Sequence, residues 1–274
     1  MTHAKQSLGQ NFLIDDNVIR KIIDRFSPSA EEFIVEIGPG HGALTQYLAH
    51  LDIETLAIEI DQSLVEELES EFTGSSSVRV RHQDILKTDF SRIASKTAKP
   101  VRVLGNIPYN ITSPLLFLLL DSRKFIADAF LMVQKEIARR ITAGPGTKDY
   151  GILSVLVQTY ADARYEFGVS PHVFRPKPAV SSAVVSLEWN DRFEHLLPDP
   201  DLYRIVVRTA FGKRRKTLRN ALEYLPVTRF DPDVLDFDTG LRAEALGVEE
   251  FIQLTQEIAG HYPDFHQDIR NSDL

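Results

Sequence analysis

The tetrapeptide Asn106-Ile107-Pro108-Tyr109 brings a side-chain amide, a proline and an aromatic ring into one short turn. That set suits the exocyclic amino group of adenine, whose nitrogen is a poor nucleophile because its lone pair is delocalised into the ring. A side-chain carbonyl and a main-chain carbonyl that accept its two hydrogens draw the nitrogen toward a tetrahedral, reactive state. Proline removes a competing backbone donor and fixes the turn, and the aromatic that follows can stack on the base. The plain alternative is a β-turn with a packed tyrosine.

A second constellation lies upstream. Phe33–Ile37 reads as a buried strand that runs into Gly38-Pro39-Gly40-His41-Gly42 and then a helix start. Glycines at such a corner permit a tight turn and close approach of a ligand to the backbone. Gly38-x-Gly40-x-x-Ala43 satisfies a dinucleotide fingerprint, whereas Gly38-x-Gly40-x-Gly42 preceded by Glu36 suits a nucleoside without phosphates. Both want an acid about twenty residues on, and Glu59 stands there, able to take both ribose hydroxyls. Asp84, after the third strand, is placed either to accept from an adenine amino group or to cap a short helix.

These residues need a sheet to carry them, and the hydrophobic periodicity supplies one. Residues 15–26 have helical spacing behind capping candidates. Extended runs at 33–37, 55–60, 78–82, 101–104 and 129–133 alternate with helical runs at 43–49, 64–72 and 115–120. Such alternation predicts a parallel sheet with helices on both faces, with ligands at the carboxyl ends of its strands. Runs at 165–169 and 180–188 predict a hairpin at the sheet edge, and 143–148 (AGPGTK) predicts the most mobile loop. Beyond Trp189 the periodicity is helical only, at 201–211, 216–224 and 248–260. The expected division is therefore a domain of residues 1–190 and an all-α domain of residues 191–274.

Composition narrows the chemistry. Over 274 residues, 43% hydrophobic and 26% charged, there is no cysteine. Disulfides, thiolate nucleophiles and sulfur-ligated zinc are thereby excluded. The eight histidines have no metal-ligand spacing, so no metal is expected. The longest apolar run, Leu115–Leu120, is too short to span a bilayer, and MTHAKQSLGQNFLIDD lacks the apolar core of a secretory signal. A cytoplasmic protein without membrane contact is the expectation. The net charge of −8 is uneven, because residues 221–274 hold twelve acidic and three basic residues. The first 220 residues are near neutral, and Lys213, Arg214, Arg215, Lys216 and Arg219 form their densest basic cluster. That cluster suits phosphate contacts or, more blandly, a solvated helix start.

Seven segments then occur in order: GQNFL (9–13), EIGPGHGALT (36–45), IEID (58–61), QDIL (83–86), GNIPYNI (105–111), FRPKPAVSS (174–182) and KRRKTLRNAL (213–222). Together they resemble the ribosomal RNA adenine N6-dimethyltransferase family over almost the whole chain. The resemblance implies a Rossmann-like, seven-stranded α/β methyltransferase domain followed by a small all-α domain, and S-adenosylmethionine as methyl donor. It places cofactor contacts at Asn11, Leu13, Gly38, Glu59, Asp84 and Asn106. It assigns the amino group to Asn106 and the Pro108 carbonyl, with Tyr109 stacking on one face of the adenine and Phe174 on the other. The competing role for Phe174 is a buried loop anchor.

Arg175 and Lys177, beside Phe174, could meet phosphates or form a solvated loop. Extruding a nucleotide costs a few kcal/mol and aromatic stacking returns ~1–3 kcal/mol per base, so an unpaired or loop adenine is the expected substrate. Three branches share the pattern: small-subunit enzymes that modify two adjacent adenines near the 3′ end of 16S rRNA, large-subunit (23S) enzymes that confer resistance, and organellar transcription factors. The Phe211–Leu222 segment resembles the first. A monomeric enzyme acting on 16S rRNA within a small ribosomal subunit or its precursor is expected, against a non-catalytic assembly factor with the same fold.

Overall fold

The computed structural model describes residues 9–213, 215–226 and 230–263. In chain order the elements are β1 (Phe12–Leu13), α1 (Asp16–Phe26), β2 (Phe33–Ile37), α2 (Ala43–His50), β3 (Thr55–Glu59), α3 (Gln62–Glu71) and β4 (Val78–His82). There follow α4 (Phe90–Ala94), β5 (Val101–Asn106), α5 (Thr112–Ser122), β6 (Asp128–Gln134), α6 (Lys135–Thr142) and α7 (Ile152–Tyr160). The last are β7 (Ala161–Val169), β8 (Phe174–Arg175), β9 (Ser182–Trp189), α8 (Pro200–Gly212), α9 (Leu218–Leu222) and α10 (Val248–His261).

Seven strands form one sheet in the order β4-β3-β2-β5-β6-β9-β7. The first five are parallel, and β9 runs antiparallel to β6 with Asp128 opposite Glu188 and Gln134 opposite Ser182. Every residue of β2 and β3 is buried, which is why these strands read as apolar runs without alternation. The strand order turns back on itself between β2 and β5, the kind of switch point where open α/β sheets bind ligands. This is the Rossmann-like, seven-stranded fold that the resemblance implies. Helix α1 shows how local signals set an element. Asp15 accepts from the amides of Asn17 and Val18, satisfying open donors of the first turn, and Ile19, Ile22, Ile23 and Phe26 bury one face.

The chain divides into two compact units, the first made of residues up to Ala138 plus Asp162–Trp189, the second of Arg139–Ala161 plus residues from Asn190 on. One crossing lies beside the boundary read from the sequence. The other is a correction, because residues 139–161 belong with the helices rather than with the sheet. In that unit the Tyr150 hydroxyl donates to the Leu246 carbonyl at 2.7 Å, and its ring meets Phe211 edge-on at 6.0 Å between centroids. Thr159 Oγ1 pairs with the Tyr203 hydroxyl at 2.8 Å. The 143–148 loop is tied within the same unit by the Gly146 amide, which donates to the Glu244 carbonyl at 2.7 Å.

Candidate active site

A cleft of roughly 1130 Å³, part of it open to solvent, lies at the carboxyl ends of β2, β3 and β5. Its floor is the glycine turn after β2. Gly38 lines it and donates its amide to the Ile58 carbonyl at 3.0 Å. Gly40 has φ +61°, and a Cβ there would lie 2.8 Å from Phe12 Cδ1, so glycine is required on both counts. The Phe12 ring also rests on His41, 4.3 Å between centroids, which sets the N-terminal segment across the turn.

Glu59, at the end of β3, is 5% exposed. One oxygen accepts from the amides of Ile60 (2.9 Å) and Asp61 (3.0 Å), the other from Gly40 (3.3 Å). Burial raises its pKa, and these three amides oppose the rise. Three backbone donors thus fix the carboxylate at the cleft wall. Glu36, in the turn's approach strand, is pushed up to about 7 by burial, with the Thr45 hydroxyl at 2.7 Å lowering it and Glu59 raising it. Asp84 lines the cleft and also caps the next turn, accepting from the Leu86 amide at 3.0 Å. One oxygen caps, as the capping reading expects, and the residue also borders the cleft.

Asn11 and Leu13 reach the cleft because β1 pairs with β8, Phe12 opposite Arg175 and Leu13 opposite Phe174. The Asn11 carbonyl accepts from Asn106 Nδ2 at 2.9 Å. Asn106 closes β5, half-buried, with its amide nitrogen committed and Oδ1 left as the acceptor. The Tyr109 ring borders the same cleft, and its hydroxyl is anchored to Ser182 Oγ at 2.9 Å. Burial raises the Tyr109 pKa, so the hydroxyl stays neutral and serves as an anchor.

Two expectations need correction. The Pro108 carbonyl is turned into the next helical turn, accepting from the Ile111 amide at 3.2 Å and the Thr112 hydroxyl at 3.3 Å. Both of its lone pairs are taken. Among the described residues no donor meets the Ile107 carbonyl, whereas the Ile107 amide is held by the Met132 carbonyl at 2.9 Å. Ile107 thus offers the main-chain acceptor of this segment. Phe174 is 1% exposed and packs with Leu13, Ile19, Phe130 and Phe167. Its ring presents no face to a base; it anchors the loop, because pairing with β1 turns it into the core.

Of the basic candidates, Arg175 and Lys177 are exposed, Arg175 donating to the Phe174 carbonyl and Lys177 approaching His172. Lys213, Arg215 and Lys216 are exposed on the second unit, with Lys213 over the Tyr224 ring at 4.6 Å. Arg219 is paired with Asp233, and Arg214 lies outside the described residues. Gln10, Ile60 and Ile85 also line the cleft; they stand inside the GQNFL, IEID and QDIL segments but are not among the expected site residues. Of these, Ile60 carries the clearest signal, an apolar residue between Glu59 and Asp61, and it is 48% exposed. Ser182 stands inside the FRPKPAVSS segment, but nothing in that segment pairs it with Tyr109.

The ribosomal RNA adenine dimethylase family model matches residues 1–259. Ribosomal RNA small subunit methyltransferase A of Chlorobium phaeobacteroides (strain BS1) is 44% identical over 256 residues, covering 93% of this chain and 94% of that protein. Its namesake in Francisella tularensis subsp. tularensis is 40% identical over 254 residues, 92% of this chain and 97% of that protein. Among solved structures, a dimethyladenosine transferase from Plasmodium falciparum aligns with a TM-score of 0.77 at 27% identity, over 91% of this chain and 98% of that one. The 23S rRNA methyltransferase ErmE aligns at 0.67 with 22% identity, over 90% and 99% of the two chains, and shares the fold. Matched along nearly its whole length by both the family model and relatives 40–44% identical, this chain belongs to the ribosomal RNA adenine dimethylase family.

Proposed function

We infer that the protein methylates N6 of two adjacent adenines in a loop near the 3′ end of 16S rRNA, giving dimethyladenosine during small-subunit assembly. One observation carries the chemistry: Asn106 borders the cleft with its nitrogen already bonded to the Asn11 carbonyl. Its Oδ1 is then oriented as an acceptor before any substrate arrives, the preorganisation that makes an electrostatic contribution effective. The Ile107 carbonyl, without a donor of its own, supports the second acceptor position. Asn106 and Ile107 hold the amino hydrogens so that the nitrogen lone pair is released from the ring. Tyr109, its hydroxyl fixed by Ser182, stacks on the base. The residues fit S-adenosylmethionine: a glycine floor that admits no Cβ at Gly40, a fixed carboxylate at Glu59 for the ribose hydroxyls, and Asp84 at the adenine end. When bound, that group supplies an electrophilic methyl on a sulfonium. The proton lost from the methylated amine is acidic and passes to water, so no general base is required.

The substrate follows from the small-subunit methyltransferases to which the chain is 40–44% identical. The protein is expected to work in the cytoplasm as a monomer. Purified protein should methylate small-subunit particles from cells lacking the enzyme and leave large-subunit RNA untouched, with dimethyladenosine as the product by mass analysis of nucleosides. Transfer to large-subunit RNA alone would overturn this reading, as would a product that stops at monomethyladenosine. Binding to small-subunit particles without transfer would instead favour an assembly factor.

Lys213, Arg215 and Lys216 are assigned to rRNA phosphates. Neutralising the three should flatten the dependence of log affinity on log salt by ~0.7–0.9 for each phosphate no longer neutralised. An unchanged slope would leave them as a solvated surface.

A further inference from the structure

The first unit carries a second concavity that the methyl-transfer site does not use. A groove of roughly 1640 Å³, open to solvent, is lined by Arg79 and Arg81 of β4, Lys87 of the turn that follows, Arg92 of α4, and Lys96 just beyond it. Among the described residues Asp89 is the only carboxylate in its lining, and its Oδ1 is engaged by the Ser91 hydroxyl and the Arg92 amide. Arg79 pairs loosely with Glu54 at 3.6 Å, while Glu54 is held more closely by Lys99 at 2.8 Å. Arg81, Lys87, Arg92 and Lys96 are exposed and form no ion pair among the described residues. Gln83 lines both this groove and the cofactor cleft, so the two lie side by side.

Strand β4 is an edge of the sheet, and cations on an edge strand commonly protect it against pairing with other chains. Edge protection accounts for Arg79 and Arg81. It does not account for Lys87, Arg92 and Lys96, which come from other elements and face the same groove. Four cations without ion pairs in one concavity, on a protein whose net charge is −8, concentrate positive potential on this face of the first unit. Such a surface fits a polyanion with regularly spaced charges. We propose that the groove between β4 and α4 binds the sugar–phosphate backbone of rRNA beside the target loop, setting its register on the cleft without reading sequence. The inference rests on rRNA being the substrate, as argued above.

The test uses the full chain with Arg81, Lys87, Arg92 and Lys96 changed to glutamine, and a second variant with Arg81→Lys and Arg92→Lys. Cofactor binding by calorimetry and the circular dichroism spectrum confirm folding in each. The glutamine variant should bind a hairpin RNA with a salt slope reduced by ~0.7 per phosphate no longer neutralised, and its KM for small-subunit particles should rise about tenfold with kcat unchanged. The lysine variant should keep both near wild type. A glutamine variant with wild-type slope and KM would overturn the proposal. So would loss of binding to a polyglutamate peptide with RNA binding intact, which would point to an acidic protein partner. If wild-type protein fails to methylate the particles, the functional reading fails, and the RNA salt slope still decides the groove.

Discussion

Alanine at position 106 should cut kcat for methyl transfer by about a hundred- to a thousandfold, the range seen when one preorganised electrostatic interaction with a reacting group is removed. The change deletes Oδ1, the acceptor that favours the reactive form of the amino group, and deletes the Nδ2 bond to the Asn11 carbonyl. The second loss touches the cofactor wall, so a modest rise in cofactor Kd accompanies the kinetic defect. RNA affinity should stay unchanged, because an interaction made mainly in the transition state lowers turnover rather than binding. Single-turnover kinetics with both ligands saturating isolates the chemical step. Near-normal turnover there would rule out the proposed activation of the adenine nitrogen.

Glu59→Ala should weaken S-adenosylmethionine binding at least tenfold, because each charge-assisted bond to a ribose hydroxyl is worth ~1.5–3 kcal/mol. The same change strips the amides of Gly40, Ile60 and Asp61 of their acceptor. Donors left unsatisfied in a buried place cost ~1–3 kcal/mol each, so the alanine variant should also melt earlier. Glu59→Gln separates the effects: it keeps an acceptor oxygen and the side-chain volume but loses the charge. It should recover part of the melting temperature, because its oxygen can still accept from Ile60 and Asp61 while its nitrogen faces the Gly40 amide, and cofactor affinity should stay low. Calorimetry showing wild-type affinity in either variant, or tight binding of NAD to the wild type, would remove Glu59 from the cofactor site.

The parts of this molecule that are legible in its sequence are those governed by short-range rules. Strand β2 and its turn announce themselves because an unbroken apolar run followed by glycines has few other folded outcomes, and Asp15 caps α1 through bonds two and three residues away. Phe174 is harder to read. Its burial depends on a strand of two residues pairing with another of two residues more than a hundred and fifty positions earlier, too short for any periodicity to register. Pro108 misleads for a different reason. Asn-x-Pro-Tyr names the right segment, but which carbonyl points into the cleft depends on the turn that follows, where Ile111 and Thr112 claim the Pro108 oxygen. Arg219, a neighbour of the basic cluster in sequence, meets Asp233, a pairing that the periodicity does not fix.

The floor of the cleft has a consequence for inhibition. At Gly40 a Cβ would strike Phe12, and at Gly105 it would come 2.8 Å from the Ile37 carbonyl, a backbone atom that cannot move aside cheaply. Gly40 in the floor of the cleft and Gly105 in the strand behind it are therefore both fixed, and point substitution at these positions cannot reshape the floor without disturbing β1 or the β2–β5 ladder. A small molecule that rests on this surface contacts atoms the protein has little means of altering. Escape variants would have to arise along the walls, at a position such as Ile60, which is 48% exposed and can change size while the backbone stays in place.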